Sequence, residues 1–180
     1  KAHIHYPPKQ LALLAFKQEQ QIELWAKDSS KWAYIKNYPL TAISGHLGPK
    51  LKRNDLQIPE GIYNISRFNP YSSFHLSMML NYPNEFDKRY ASADRRKDIG
   101  DNIFIHGRAL SAGCLAIGDS AIDELFVLVN KVGKAKSEVI ISPKDFRKTN
   151  KDVKLTSASP KWLPSLYQKI KNKLSQFRKA

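Results

Sequence analysis

The stretch between residues 103 and 117, IFIHGRALSAGCLAI, constrains the fold of this chain more than any other part of the sequence. It opens with a short apolar run that is typical of a buried strand. Gly107 and Gly113 follow, and glycine lets the backbone turn tightly and approach another group closely. A helix is predicted to begin at Asp119 or Ser120. The stretch therefore predicts a strand, a turn and a helix in immediate succession.

The same stretch holds the only cysteine of the chain, Cys114, and a histidine, His106. A nearby imidazole can lower the pKa of a thiol or take its proton, and the thiolate is the nucleophile. Because Ala112 and Gly113 carry little side chain, the backbone N–H groups there and at Cys114 could face an oxyanion. The residues alone also allow a second interpretation, in which Cys114 is a small buried hydrophobe and His106 is only hydrogen-bonded.

Several further motifs occur in order along the chain. They are Pro59-Glu60-Gly61-Ile62-Tyr63, Phe68-Asn69-Pro70, Tyr82-Pro83-Asn84 with Asp87, His106-Gly107, and Ser111-Ala112-Gly113-Cys114. Together they resemble the L,D-transpeptidase (YkuD-like) catalytic domain family over roughly residues 8 to 142. The nearest resemblance is to its YafK-like branch, which includes the murein amidase that detaches the outer-membrane lipoprotein from peptidoglycan.

The resemblance implies an enzyme that acts on peptidoglycan stem peptides at the diaminopimelate residue and needs no cofactor. It implies that Cys114 is the nucleophile and that His106 is its base. Oxyanion and substrate contacts are expected from Gly113, Ala112, Ser111, Gly107, Arg108, His75 and Tyr82. Arg108 would receive a substrate carboxylate, because its place in the turn keeps it near the thiol. For His75 a plain hydrogen-bonded sheet position stays open as the alternative.

Two positions depart from the pattern that many members of this family have. Ala112 stands where many have a second histidine, and Ala116 stands where many have an arginine. Both departures fit the YafK-like branch and count against cross-link synthesis. The acyl group of a Cys114 thioester could pass to an amine, which gives a cross-link or a protein attachment. It could also pass to water, which makes the chain a murein amidase or L,D-carboxypeptidase, and the sequence does not decide between these outcomes.

The hydrophobic pattern predicts a β-rich α+β domain, with a mixed sheet or sandwich, one main helix and a C-terminal helical appendage. Strands are predicted at residues 9–16, 20–27, 32–38, 62–68, 74–81 and 139–142, and helices at 120–132 and 162–177. Residues 39–59 and 82–100 are expected to be long connections. The catalytic domain is placed at residues 1–143, and the remainder, 144–180, is read as a basic tail.

The net charge of +14 is concentrated in that tail, which has eleven Lys and Arg residues against two Asp. Such a balance suits nucleic acid, an anionic membrane surface or an anionic polymer. No zinc-finger spacing, RNA-binding aromatic motif or DNA-reading helix is present, so we expect no nucleic-acid partner. The predicted tail helix could dock on the domain, lie on an anionic bilayer or face another protein.

The compartment follows from the resemblance rather than from the composition. We expect the periplasm or cell envelope of a Gram-negative bacterium, with a signal peptide already removed before Lys1. The expected partners are peptidoglycan and a peptidoglycan-linked lipoprotein. No set of His, Asp or Cys has metal-ligand spacing, so no metal site is expected. Two interpretations without catalysis remain, namely an envelope-binding module that has kept the fold and a protein that binds a membrane or a polyanion through its basic tail.

Overall fold

The computed structural model describes residues 4–148 and 153–178. In these residues eight strands form one mixed sheet, and three helices accompany it. The strands are β1 (Gln10–Phe16), β2 (Gln21–Lys27), β3 (Ala33–Pro39), β4 (Gly61–Ser72), β5 (His75–Leu80), β6 (Phe104–His106), β7 (Leu115–Ala116) and β8 (Ser137–Ser142). The helices are α1 (Glu85–Ala93), α2 (Asp119–Val132) and α3 (Leu163–Leu174), with a short 3₁₀ helix at Lys134–Lys136. The predicted β-rich α+β class is confirmed.

The sheet order is β3-β2-β1-β8-β4-β5-β6-β7. β1 to β3 form an antiparallel meander, and β8 joins it to the β4–β5 hairpin by running parallel to β1 and antiparallel to β4. At the far edge β6 and β7 run parallel, with Ile105 opposite Leu115 and His106 opposite Ala116. This register returns the chain beside β6 after the turn at residues 107–113, so Cys114 reaches the strand that ends in His106.

One face of the sheet packs against α2, whose apolar stripe is buried as the sequence predicts. Ile122, Leu125 and Val129 of this helix are each 0% exposed. They join a core cluster to which every strand contributes, β3 only through Tyr38. The other strands supply residues that include Leu13, Leu24, Tyr63, Met78, Ile105, Leu115 and Val139. Because β7 leads directly into α2, this packing fixes the segment that carries the cysteine.

The other face of the sheet is covered by α3, which corrects the expectation for β2. The alternation of apolar and polar residues predicts a half-buried strand in which Glu23 and Trp25 point outward. Both are in fact 0% exposed. The second core cluster contains Trp25 together with Phe16, Ile140, Leu166, Ile170 and Phe177. The tail helix therefore docks on the sheet. The buried charge of Glu23 is compensated by Arg147, whose side chain lies 2.8 Å from its carboxylate.

Two stretches differ from the sequence predictions. β4 continues through Asn69-Pro70 to Ser72 rather than ending there, with an irregular register between Asn69 and Ser72. The connection predicted at residues 82–100 contains α1, which Asn84 caps with Asp87 in a reciprocal capping box. Helix α2 begins at Asp119, one of the two predicted starts, and Gly118 before it makes no side-chain cap.

A buried ion pair ties the long connection at residues 40–60 to both halves of the chain. Lys17 Nζ lies 3.0 Å from Glu60 Oε1, with side chains 1% and 0% exposed. The same carboxylate accepts the Gly48 N–H at 2.7 Å and the Tyr167 hydroxyl of α3 at 2.8 Å. Burial lowers the pKa of Lys17 and the Glu60 charge opposes this effect. The predicted loop thus has no regular secondary structure, and the contacts of Glu60 fix its C-terminal end to β1 and α3.

Candidate active site

A cleft of about 520 Å³ opens between the β4–β5 hairpin and the turn that precedes Cys114. It is lined by Asn69, Ser72, Ser73, Phe74, Ser77, Asn102, Phe104, His106, Leu110, Ser111, Ala112 and Cys114. The fold thus brings the predicted nucleophile and the predicted base to one cavity. The lining side chains carry no formal charge when His106 is neutral.

His106 ends β6, and its side chain is held in one orientation. The residue is 3% exposed, and its ring packs on Phe74 with ring centroids 4.7 Å apart. Its Nδ1 lies 2.6 Å from the Gly107 carbonyl oxygen. Since a carbonyl can only accept, Nδ1 carries the proton and Nε2 is the basic atom. Burial lowers the pKa of His106, which keeps the imidazole neutral at neutral pH.

Cys114 lies just before β7, where its Sγ donates to the Asn102 carbonyl at 3.8 Å. Burial raises the pKa of the thiol, while the Phe104 N–H and the Lys50 charge act in the opposite direction. Raising the thiol pKa and lowering the imidazole pKa both disfavour a thiolate–imidazolium pair. The resting site therefore holds a neutral thiol and a neutral imidazole.

The turn before Cys114 is fixed from the connection at residues 40–60. Gly113 has φ +109°, and a Cβ there would lie 3.1 Å from the Gln57 carbonyl oxygen, so another residue would be strained. The Gly113 N–H donates to Ser44 Oγ at 2.7 Å. Ser111 Oγ donates to the Cys114 carbonyl at 2.8 Å. Of the three N–H groups predicted to face an oxyanion, that of Gly113 is thus already hydrogen-bonded to a side chain.

The His-Gly pair has a steric reason. A Cβ on Gly107 would lie 2.8 Å from the Phe74 carbonyl oxygen and would also meet Asp119 Oδ1, so only glycine fits between the hairpin and α2. Asp119 Oδ1 accepts the Arg108 N–H at 2.7 Å. The Arg108 carbonyl accepts from Thr41. The backbone of Arg108 is therefore fixed, and its exposed side chain is not among those that line the cleft. Its contact with a substrate carboxylate stays a prediction.

His75 and Tyr82 are also absent from the cleft lining. His75 Nε2 lies 2.7 Å from Asp123 Oδ1 of α2. Tyr82 is 3% exposed, and its hydroxyl donates to the Ile99 carbonyl at 2.7 Å. The contact with Asp123 fits the alternative of a plain hydrogen-bonded position for His75, and the Tyr82 hydroxyl is satisfied within the fold. Substrate contact by either residue stays a prediction.

Three residues next to Cys114 were not predicted from the sequence. Asn102 presents its carbonyl to the thiol from a backbone with φ 56°, a conformation that asparagine tolerates. Ser44 and Gln57 contact the cysteine turn from more than 55 residues away in the chain. The only sequence signal for any of them was the length of the connection at 40–60, because long connections in compact domains are often functional.

Within residues 4–148 and 153–178, no group of three or more His, Cys, Asp or Glu is arranged to hold a metal ion. In the same residues no helix is long and apolar enough to cross a bilayer.

The fold and the cleft together define a β-rich domain with a cysteine and a basic histidine nitrogen in one cavity, the arrangement that thiol-dependent acyl-transfer enzymes use. Residues 11–141 match the family described as the L,D-transpeptidase catalytic domain, YkuD, and the chain belongs to this family. The family acts on peptidoglycan.

A curated relative supports the branch. The chain is 31% identical over 144 residues to "Putative L,D-transpeptidase YafK" of Escherichia coli strain K12. The alignment covers 77% of this chain and 55% of the relative, so the chain spans about half the length of the curated relatives it matches.

Solved structures with the same fold come from two further organisms. The helical cell shape determining protein Pgp2 of Campylobacter jejuni matches with a TM-score of 0.60 and 21% identity, over 84% of this chain and 52% of that one. Bd1075 of Bdellovibrio bacteriovorus matches with a TM-score of 0.54 and 21% identity, over 96% of this chain and 57% of that one. At these identities the likeness concerns the fold.

Proposed function

We propose that this chain is a cysteine-dependent acyl-transfer enzyme that acts on peptidoglycan stem peptides at diaminopimelate. The observation that supports the proposal is that Cys114 lines the same cleft as a histidine whose Nδ1 is hydrogen-bonded to a carbonyl, which leaves Nε2 as the base. Membership of a peptidoglycan-acting family supplies the substrate class.

The proposed reaction has two stages. His106 Nε2 takes the thiol proton as Sγ of Cys114 attacks the carbonyl carbon of the diaminopimelate L-centre. The C–N bond then breaks, and the imidazolium returns the proton to the leaving amine, which leaves a thioester on Cys114. In the second stage water or an amine gives a proton to Nε2 and attacks the thioester, and the thiol is regenerated.

The developing oxyanion needs hydrogen-bond donors, and the backbone offers them. Because the Gly113 N–H already donates to Ser44, we assign this role to the N–H groups of Cys114 and Ala112. Both belong to the turn that lines the cleft beside the thiol.

Within the family we favour hydrolysis, and the composition of the cleft supports this choice. Its lining lacks a charged side chain to pair with a free carboxylate. Burying an unpaired charge is costly, so a neutral amide on the leaving side fits better than a terminal carboxylate. This favours an amidase that releases an attached polypeptide over an L,D-carboxypeptidase that releases a terminal residue. Transfer to an amine remains the family-level alternative.

The proposed setting is the periplasm or cell envelope, with peptidoglycan and a peptidoglycan-linked lipoprotein as partners. The apolar face of α3 is packed on the sheet, as Ile170 at 0% exposure illustrates, so this helix would not insert that face into a bilayer while docked. Any membrane contact of the tail would therefore rest on its lysines and on anionic lipid headgroups.

The test is product analysis with defined muropeptides. The wild-type protein and its Cys114→Ala variant are incubated with a free tetrapeptide muropeptide and with a muropeptide linked to a lipoprotein fragment, and the products are read by mass spectrometry. We expect release of the fragment by the wild type alone. New cross-links would assign a transpeptidase, and loss of the terminal residue an L,D-carboxypeptidase. No Cys114-dependent product on any substrate would overturn the proposal in favour of a non-catalytic envelope-binding module.

A further inference from the structure

A directed chain of hydrogen bonds encircles the peptide unit that carries the nucleophile. Gly113 N–H donates to Ser44 Oγ at 2.7 Å, Ser44 Oγ lies 3.0 Å from Ser111 Oγ, and Ser111 Oγ donates to the Cys114 carbonyl at 2.8 Å. Ser111 has one proton, which the Cys114 carbonyl receives. Ser44 must therefore donate to Ser111, and the direction of every bond in the chain is fixed.

This chain holds both ends of the Gly113–Cys114 dipeptide. Its first donor is the N–H before Gly113 Cα, and its last acceptor is the carbonyl after Cys114 Cα. The Cys114 N–H lies between these two fixed points. Because glycine adopts positive and negative φ about equally readily, the hydrogen-bond chain helps to select the φ of Gly113 and with it the orientation of that N–H.

Ser44 itself is anchored from the strand that follows the cysteine. The Thr41 N–H donates to the Ala116 carbonyl at 2.9 Å, and Ala42 forms a bridge with Ala116. On the other side, the Gln57 carbonyl backs Gly113. The connection at residues 40–60 thus contacts both β7 and the turn before Cys114, and Ser44 is the side chain that accepts the Gly113 N–H.

We propose that Ser44 is a positioning residue for the reaction at Cys114, which acts through Gly113 and Ser111 to aim the Cys114 N–H at the oxyanion. This inference rests on the proposed function, since it assigns Ser44 a part in the same acyl transfer. Ser44 does not line the cleft, so it would not contact substrate.

The test compares Ser44→Ala with Ser44→Thr, which keeps the hydroxyl, and with Ser165→Ala, which removes an exposed hydroxyl on α3. We expect Ser44→Ala to lower kcat by about 10- to 100-fold with KM changed by less than about twofold, because misplacement acts on the transition state. Ser44→Thr should restore most of the rate, and Ser165→Ala should match the wild type. The double variant Ser44→Ala with Ser111→Ala should have a kcat only slightly lower than that of the slower single variant, because both substitutions break the same hydrogen-bond chain.

A second readout does not depend on turnover. Hydrogen exchange of the Gly113 amide, followed by NMR, should be slow in the wild type and in Ser44→Thr, and at least about tenfold faster in Ser44→Ala. If the wild type turns over no muropeptide, the proposed function fails. The exchange rate alone then decides whether Ser44 holds the Gly113 amide in place. An unchanged kcat in an active enzyme, a change confined to KM, or an unchanged Gly113 exchange rate in Ser44→Ala would overturn the inference.

Discussion

At the scale of single residues, burial acts on Cys114 and His106 in opposite directions. It raises the pKa of the thiol and lowers the pKa of the imidazole. Both effects stabilise the neutral pair, so in the proposed reaction His106 acts as a general base during attack rather than as the partner of a preformed thiolate. The Phe104 N–H and the Lys50 charge favour the thiolate, but burial is the larger influence.

This balance predicts the pH dependence of thiol modification. The alkylation rate of Cys114 by iodoacetamide should rise with a midpoint above 9.0, the usual value for the thiol, since its folded pKa is raised. There should be no plateau of thiolate reactivity between pH 5 and pH 8. The rate is followed by intact-mass spectrometry, with Cys114→Ala as the unlabelled control. A plateau near neutral pH would instead indicate a thiolate–imidazolium pair and contradict the neutral resting state.

At this scale the sequence identified which residue types meet, but not every contact. His106 and Cys114 lie eight positions apart with two glycines nearby, so their approach follows from local chain geometry. Ser44 reaches Gly113 across 69 positions, and no local pattern encodes that bond. The sequence left open whether His75 contacts substrate or is a hydrogen-bonded sheet residue, because its partner Asp123 lies 48 positions away on α2.

At the scale of elements, α1 depends on a carboxyl group that is unusually easy to protonate. Asp87 Oδ2 accepts the Asn84 N–H at 2.9 Å in the capping box, and its Oδ1 receives the Tyr63 hydroxyl. Burial raises the pKa of Asp87 to about 6, although the Asn84 N–H, the Tyr63 hydroxyl and Arg96 each favour the ionised form. The helix is thus attached to the sheet by a carboxyl group whose pKa is raised to about 6.

The consequence for stability has a definite sign. Asp87 binds a proton more tightly in the folded state, with a pKa of about 6, than at its usual 3.8, so its contribution to stability grows as pH falls from about 6 towards 3.8. The difference amounts to at most about 3 kcal/mol at roughly 1.4 kcal/mol per pH unit. Asp87→Asn should therefore lose stability relative to the wild type as pH falls from 7 to 4.

Urea unfolding of both proteins across that range measures this effect. Glu85→Gln on the same helix is the matched control, because its side chain is 93% exposed and its difference from the wild type should stay nearly constant. A wild-type minus Asp87→Asn difference that does not vary with pH would show that the carboxyl group has no raised pKa.

The hydrophobic pattern of the sequence did not predict α1 or the full length of β4. The charged segment around α1 lacks an apolar stripe long enough to signal a helix, yet the spacing of Asn84 and Asp87 is a capping signal that could have revealed it. β4 passes through Asn69-Pro70 because its pairing with β5 is irregular at that point and tolerates a residue without an N–H.

At the scale of the whole molecule, the C-terminal helix completes the fold on the second face of the sheet. Ile170 and Leu174 of α3 are 0% and 1% exposed. They lie in the cluster with Trp25, and Trp25 contacts Phe177 edge to face at 5.5 Å. The hydroxyl of Tyr167 reaches Glu60, at the base of the connection that grips the cysteine turn.

Removing part of this packing should destabilise the entire chain. Ile170→Ala is expected to lower the free energy of unfolding by about 2–5 kcal/mol, the range for an aliphatic core residue cut back to alanine. Gln168→Ala, an exposed change on the same helix, should stay within about 0.5 kcal/mol of the wild type. Chemical denaturation followed by tryptophan fluorescence reports on both. Equal midpoints for the two variants would mean that α3 does not stabilise the sheet in solution.

The sequence predicted the overall fold class because the hydrophobic periodicity of each long segment indicates whether that segment is a strand or a helix. It did not predict that β2 is buried on both sides, since the cover over Trp25 comes from a helix about 140 residues later. The division at residue 143 remains a prediction, and the burial of Lys144 and Asp145 next to the sheet argues that the tail and the domain fold together.

The central claim is that Cys114 becomes acylated by a stem peptide, and trapping that thioester tests it most directly. The wild-type protein is mixed with a lipoprotein-linked muropeptide, quenched in acid and analysed by intact-mass and peptide-mapping mass spectrometry. We predict an adduct of the acyl fragment on the peptide that contains Cys114, released by neutral hydroxylamine and absent from Cys114→Ala. An adduct on another residue, or equal turnover by Cys114→Ala without any adduct on the wild type, would contradict the account.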